Sequence, residues 1–290
     1  MRRRSVLRRR PTKDRRGRNQ RKGIPLRLFI ALGIVLFSII SFYSMGQVNP
    51  ITGNTQRVAI STDQEIALGL QAAPQMMQQH GGLASDAQGQ RRVDQLGGEL
   101  LTALNDMISN ADGENPFQFE FHLLEDKELV NAFALPGGQV FITNALYERL
   151  STDGQLAGVL GHEIGHVLER HGAQRLAQQK LTQGLAGAAG VASDSQSGAQ
   201  IAAAVGQMVN MKYGRDAELE SDKWGVRLTA AAGYDPRAMI QVMHVLEEAS
   251  GPGGQPELFS THPKPANRRK YIEDVIRLVF PKGMPDGLRE

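Results

Sequence analysis

The stretch TDGQLAGVLGHEIGHVLERHG, Thr152 to Gly172, decides how the rest of the chain is read. It opens on Thr152 and Gln155, the Thr-x-x-Gln pattern of a capping box at a helix start. Leu156, Val159, Leu160, Ile164, Val167 and Leu168 follow at helical spacing, which predicts a buried amphipathic helix. Inside it stands His162-Glu163-Ile164-Gly165-His166. Histidines at i and i+4 lie one turn apart on one face, so both imidazoles can reach a single ion at about 2.0–2.1 Å. Glu163 is offset by about 100° around the axis, where it can act as an acid/base beside the ion without ligating it. Three unpaired polar side chains in so apolar a stretch would be costly, which argues against an ordinary surface helix.

Such a site needs a third protein ligand. The chain has no cysteine, so disulfides and thiolate ligands are excluded and only His, Asp or Glu can serve. A third histidine six residues past His166 would fall at Gly172, which excludes the metzincin pattern. His171 is five residues beyond His166 and about 140° around the helix, and reads as a surface or supporting group. The later segment YGRDAELESDKWG, Tyr213 to Gly225, offers carboxylates. Glu218 and Asp222 share one face, so Glu218 could ligate the metal while Asp222 orients a ligand histidine through its free ring N–H. Glu220 points nearly opposite, toward solvent or an arginine.

The net charge of +3 conceals a division. Residues 1–27 hold 13 of the 33 basic residues and one of the 30 acidic ones, so the remainder is acidic. Immediately after this tail, Leu28 to Met45 is an uncharged 18-residue run, close to the roughly 20 residues that cross a bilayer. The positive-inside rule keeps the basic end, residues 1–27, in the cytoplasm and sends the rest outward. The run is expected to be an uncleaved anchor at residues 28–45 in contact with lipid, which also removes nucleic acid as a partner for the tail, because tail and acidic body then lie in different compartments.

Residues 46–61 read as a linker or a strap on the domain, from their Asn-Pro and Thr-Gly-Asn turn signals. A folded domain is expected over 62–280, with a short tail at 281–290. Thr62 and Glu65 suggest a capped helix, and Val93, Leu96, Leu100, Leu101 and Leu104 a second over Gln88–Ser109. Phe117, Phe119 and Phe121 alternate with polar residues as in a half-buried strand. Leu129–Leu135 and Gln139–Thr143 flank Pro136-Gly137-Gly138, a tight β connection. The Gly- and Ala-rich stretch Leu181–Met211 reads first as a packed core helix. A cover over the cleft or a membrane-touching element is the alternative. Loops are expected at Gly187–Gly198 and Gly251–Pro265.

The succession NPITG (49–53), QEIALG (64–69), NAFALPGGQVFITNAL (131–146), HEIGH (162–166), GRDAELESD (214–222) and THPKPANR (261–268) resembles the M48 family of metallopeptidases over about residues 49–273. The resemblance implies an α+β zincin-like domain, mainly helical with a small sheet, and one Zn²⁺ per chain. It implies His162 and His166 as ligands, Glu163 as catalytic acid/base and Glu218 as third ligand. Ser221 departs from the Ala that the family often has. The single apolar run places the chain nearest the singly anchored, periplasm-facing branch, in a bacterial inner membrane, with misfolded or unfolded membrane or periplasmic polypeptides as substrates. His262 and Arg268 are candidate donors to a developing oxyanion. Asn131, Ala132, Phe133 and Ala134 are candidates for a strand edge that takes up an extended peptide. The rival reading is a chaperone-like role with a silenced site, against which Glu163 argues, since a structural metal has no use for a base.

Overall fold

The computed structural model describes residues 25–109, 114–192, 214–249, 262 and 267–290. The fold is α+β, mainly helical with small sheets. Helix α1, Leu26–Ser44, starts behind Pro25, whose extended backbone suits the residue before a first turn. Its 19 residues rise about 28 Å, and it is long and apolar enough to cross a membrane. Phe29, Leu32, Phe37 and Ile40 are all more than half exposed.

Residues 46–61 form a strap. Strands β1 (Gly46–Val48) and β2 (Thr55–Arg57) pair antiparallel, Gly46 opposite Arg57. Between and beside them Asn49 Nδ2 donates to the Leu168 carbonyl at 2.8 Å and Gln56 Nε2 to the Glu169 carbonyl at 3.0 Å. Those are terminal carbonyls of the helix that bears His162 and His166, groups that no helical N–H can reach. Helix α2, Thr62–Gln79, is capped one residue earlier than expected, by a Ser61/Gln64 box. Glu65 is thereby released from capping and turns inward, 1% exposed.

Helix α3, Ala87–Ser109, buries Val93, Leu96, Leu100 and Leu104. The main sheet runs β3-β5-β4: β3 (Glu120–Leu124) is parallel to β5 (Gln139–Thr143), and β4 (Ala132–Ala134) antiparallel to it. The phenylalanine alternation does place Phe117 and Phe121 inward, but the ladder starts only at Glu120. Upstream, the backbone serves the turn instead, Gln118 N donating to the Gly137 carbonyl and Glu120 N to that of Gly138. Gly138 sits at φ 123°, and a Cβ there would fall 2.3 Å from the Gln118 oxygen, so the turn requires glycine. The expected strand from Leu129 shortens to Ala132–Ala134 because Asp126 Oδ1 accepts from the N–H groups of Glu128 and Leu129 and holds a turn there.

After α4 (Asn144–Tyr147) comes the central helix α5, Asp153–Leu168, buried on all sides between α3, the sheet, α7 (Arg215–Ala231) and α8 (Ala238–Ala249). Thr152 caps α5 through Gln155 N as expected, while the Gln155 side chain reaches Ser151 N rather than Thr152 N. Helix α6, His171–Ala192, leaves the core and packs lengthwise on α1. It remains helical past Gly187, where a loop was expected, and the remainder of Leu181–Met211 lies outside the described residues, as does most of Gly251–Pro265. Helix α9, Arg268–Val279, closes the core, and the terminal segment docks: Arg289 lies 3.9 Å from the Tyr234 ring and bonds Glu99 at 2.8 Å.

Candidate metal centre

Two glycines set the site. Gly161 and Gly165 lie one turn apart on the α5 face that meets α7, and a Cβ at either would press on α7 backbone, 3.2 Å from Gly225 Cα and 2.9 Å from Ser221 Cα. Without side chains in between, the helices approach closely enough for Glu218 on α7 to reach both α5 histidines. Glu218 Oε2 lies 3.6 Å from His162 Nε2, and Oε1 lies 3.6 Å from His166 Nε2.

The two Nε2 atoms are 3.1 Å apart, and a further residue joins them: His262 Nδ1 is 3.1 Å from Glu218 Oε1 and 3.5 Å from His162 Nε2. His162, His166, Glu218 and His262 thus form a buried group whose ligand atoms all lie within 4.8 Å of one another. Corners of a tetrahedron with metal bonds of 2.0–2.1 Å stand about 3.3–3.4 Å apart. The donor set, three imidazoles and a carboxylate with most separations between 3.1 and 3.6 Å, suits an ion with nitrogen and oxygen ligands.

Both α5 histidines are oriented from behind. His162 Nδ1 donates to Asp222 Oδ1 at 3.0 Å, which leaves Nε2 with its lone pair toward Glu218. For His166 the chain is longer: its Nδ1 lies 2.9 Å from His171 Nδ1, and His171 Nε2 lies 3.0 Å from Glu220 Oε2. One consistent set of tautomers has Glu220 accepting from His171 and His171 accepting from His166, so Nε2 again faces the centre. His171 is 3% exposed, so it is a buried support and not a surface group. Glu220 is half exposed as expected, yet its partner is this histidine rather than an arginine.

Arg268 lies against the carboxylates of the site. Its Nε and Nη2 bond Asp222 at 2.8 and 2.6 Å, and Nη1 meets Glu218 Oε2 at 2.9 Å. A guanidinium so engaged, 4% exposed, positions two carboxylates. His262 faces the ligand group with Nδ1 and is a fourth candidate donor, a role beyond the oxyanion partner that the sequence suggests.

Burial pushes Glu163 up from the usual carboxylate range, partly opposed by His262 and His162. Burial, then the neighbouring imidazoles, holds His166 well below its ordinary value, so it is neutral and competent to ligate. For Glu218 burial acts upward, but His262, His162 and Arg268 together prevail and lower it, keeping it anionic. Sequence reasoning missed the fastening behind the site: Arg170, at φ 55°, turns the chain sharply from α5 into α6. Its guanidinium is 2% exposed and meets Glu65 at 2.6 Å and the Ile60 carbonyl at 2.9 Å.

The profile of Peptidase family M48 matches residues 94–276, more than half of the chain. The chain belongs to that family. Relatives include the beta-barrel assembly-enhancing protease of Escherichia coli K12, 31% identical over 186 residues covering 61% of this chain and 36% of that protein. The Yersinia pestis protein of the same name is 28% identical over 240 residues, 76% of this chain and 45% of its own. The human mitochondrial metalloendopeptidase OMA1 is 27% identical over 269 residues, 86% and 50% respectively. The chain thus spans half or less of the length of these relatives.

Around this M48 centre run two recesses. One, beside Glu163 and His162, has an apolar wall of Val159, Met239, Val242, Met243 and Leu246. The other is an open groove between α2, β4 and α6 that reaches His262, with Asn131, Phe133 and Ala134 along one wall. Among the described residues β4 is the end strand of its sheet, so it is an edge and not an interior hairpin strand. Asn131 Oδ1 is buried and has no hydrogen-bond partner among the described residues.

Proposed function

We propose that the chain is a zinc-dependent endopeptidase held in a bacterial inner membrane by α1, with its basic tail in the cytoplasm and its catalytic domain in the periplasm. Its proposed substrates are misfolded or unfolded membrane or periplasmic polypeptides. The observation that carries this is the convergence of His162, His166, Glu218 and His262, their ligand atoms within 4.8 Å of one another, with the buried carboxylate of Glu163 beside them. Two relatives named for β-barrel assembly and one named a mitochondrial metalloendopeptidase are in keeping with it.

In this reading His162, His166 and Glu218 hold the ion. When bound, zinc supplies a Lewis acid that acidifies water and polarises a carbonyl. Glu163, raised by burial, takes a proton from the attacking water and returns it to the leaving amine, the task of a carboxyl whose affinity for protons lies nearer neutrality. Its Oε2 has no partner among the described residues, so one oxygen is available to that proton. An extended peptide adds to the edge strand β4 by backbone bonds, with Asn131, Ala132, Phe133 and Ala134 as its platform and Asn131 Oδ1 as an acceptor. An apolar side chain next to the cleaved bond enters the recess of Val159, Met239, Val242 and Leu246. A hydrolytic site leaves its fourth position to water. His262 lies within reach of the same donors and would have to yield to that water for turnover.

The test is casein cleavage by the purified full-length protein in detergent, with bound zinc quantified, for wild type and Glu163→Gln. Zinc in both and cleavage in wild type only is the expected result. Zinc in both with cleavage in neither favours a latent or chaperone-like protein, and a folded wild type without stoichiometric zinc removes the metal assignment.

A further inference from the structure

The apolar helix α1 has a companion. Helix α6 begins beside the outer end of α1, since Ala59 N meets the Ala173 carbonyl and Val58 N that of Met45. From there it runs back antiparallel along α1, and at Gly184 a Cβ would fall 2.1 Å from Ser38 Oγ. That contact fixes the register. Lys180 is four residues toward the domain from Gly184, and Phe42 is four residues toward the domain from Ser38, so the two lie at one level. Arg57 joins that level, its guanidinium 5.6 Å from the Phe42 ring and 4.5 Å from that of Tyr43. A cation over Tyr43, with Lys180 at the same level, is what the polar boundary of a bilayer selects.

Beyond that level the character of α6 changes. From Leu181 to Ala192 there is no charged residue, and between Lys180 and Lys212 the sequence holds only Asp194. The buried positions along the seam are small, Ala31 and Ser38 on α1 with Ala188 on α6, as where helices associate without a hydrophobic drive from water. The outward positions Leu185 and Val191, 38% and 39% exposed, continue the exposed apolar surface of α1. Ala192 lies about 12 Å past Gly184, level with Ile30 near the far end of α1. If α1 spans a bilayer, α6 cannot follow it over this length and remain in water.

We propose that Leu181–Ala192 of α6 is immersed in the lipid bilayer against α1, as a second membrane element that leads directly to the metal centre. This rests on the anchor reading given above. The consequence is a fixed height for the site. His171, the first residue of α6 and the support of His166, lies nine residues before Lys180, about 14 Å above the boundary. An extended chain leaving the membrane covers that height in about four residues, so the centre addresses segments of membrane proteins next to the bilayer surface.

Because the chain has no cysteine, single cysteines report position cleanly. Full-length variants Leu32→Cys, Leu185→Cys, Val191→Cys and Glu148→Cys carry an environment-sensitive nitrobenzoxadiazole dye in phosphatidylethanolamine/phosphatidylglycerol vesicles with spin-labelled acyl chains. All four sites are open in the folded protein, so none requires repacking. The expected result is quenching at Leu185 and Val191 equal to that at Leu32, with none at Glu148. Quenching at Leu32 but at neither α6 position overturns the proposal and leaves the anchor standing. No quenching at Leu32 removes the anchor, and the proposal with it.

Discussion

Alanine at Gly165 isolates what the close crossing of α5 and α7 does. The new Cβ would lie 2.9 Å from Ser221 Cα and 2.9 Å from Trp224 Cβ, against ordinary carbon contacts of about 3.5–4.0 Å. Both neighbours are backbone or next to it, so neither can swing aside and the helices must part by roughly 0.6–1.1 Å. Overpacking of this kind costs about 1–3 kcal/mol, and the better helix propensity of alanine returns about 1 kcal/mol, so metal-free stability falls by no more than about 2 kcal/mol. The metal suffers more. Glu218 rides on α7 less than one turn from Ser221, and metal ligation tolerates about 0.2 Å. Zinc affinity is therefore expected to drop on the order of tenfold or more, read by competition with a fluorescent chelator, and casein cleavage to fall with it. Gly98→Ala on α3 is the control, for among the described residues nothing lies within 4 Å of its Cβ position. It should gain about 1 kcal/mol in urea unfolding and leave zinc unchanged. A Gly165→Ala protein that binds zinc and cleaves casein like wild type would refute the reasoning.

Arg170→Ala strands Glu65 in the interior and should cost about 3–5 kcal/mol in urea unfolding. Glu65→Gln should cost less, because burial pushes the Glu65 carboxyl up to about 7 even with Arg170 beside it. Arg268→Lys cannot span both oxygens of Asp222 while reaching Glu218, and zinc affinity should fall about 10–100-fold with the fold retained by circular dichroism. Asp126 carries the pH prediction. Burial acts upward, but the Leu129 N–H and His80 outweigh it and lower the carboxyl. A depressed folded value contributes stability above the unfolded value of about 3.9 and loses it as pH falls through the folded one. Asp126→Asn should thus be less stable than wild type at pH 7, and the gap should close toward pH 3. A gap independent of pH would count against it.

What the sequence carried and what it concealed divide along physical lines. Period and chemistry were legible wherever one residue's neighbours along the chain decide its state. The α5 face, the Thr152 cap and the glycine turn after β4 are local. So is the i, i+4 pairing of Glu218 with Asp222. Boundaries failed where a side chain captures backbone from outside the pattern. Asp126 shortens β4 from its start, and the Gly137–Gly138 turn takes the hydrogen bonds that Phe117–Phe119 would have given to a ladder. The α2 cap moved by one residue because Thr62-x-x-Glu65 and Ser61-x-x-Gln64 overlap, and burial of Glu65 against Arg170 decided between them.

The supporting groups of the centre were hardest to read because they depend on contacts between distant segments. A helical wheel puts His171 far from His166, but the wheel assumes an unbroken helix, and Arg170 breaks it with a positive φ. After that turn the two Nδ1 atoms meet at 2.9 Å. The same limit applies to Arg268, whose chemistry suits an oxyanion as well as a carboxylate pair until α9 is seen to deliver it behind Asp222. One signal was present and unused: Gly161 and Gly165 repeat the spacing of His162 and His166, one residue earlier each. Glycines in a buried helix weaken it unless another backbone needs the space. Their recurrence beside both histidines therefore points to a second helix crossing there, and so to the element from which the third donor comes.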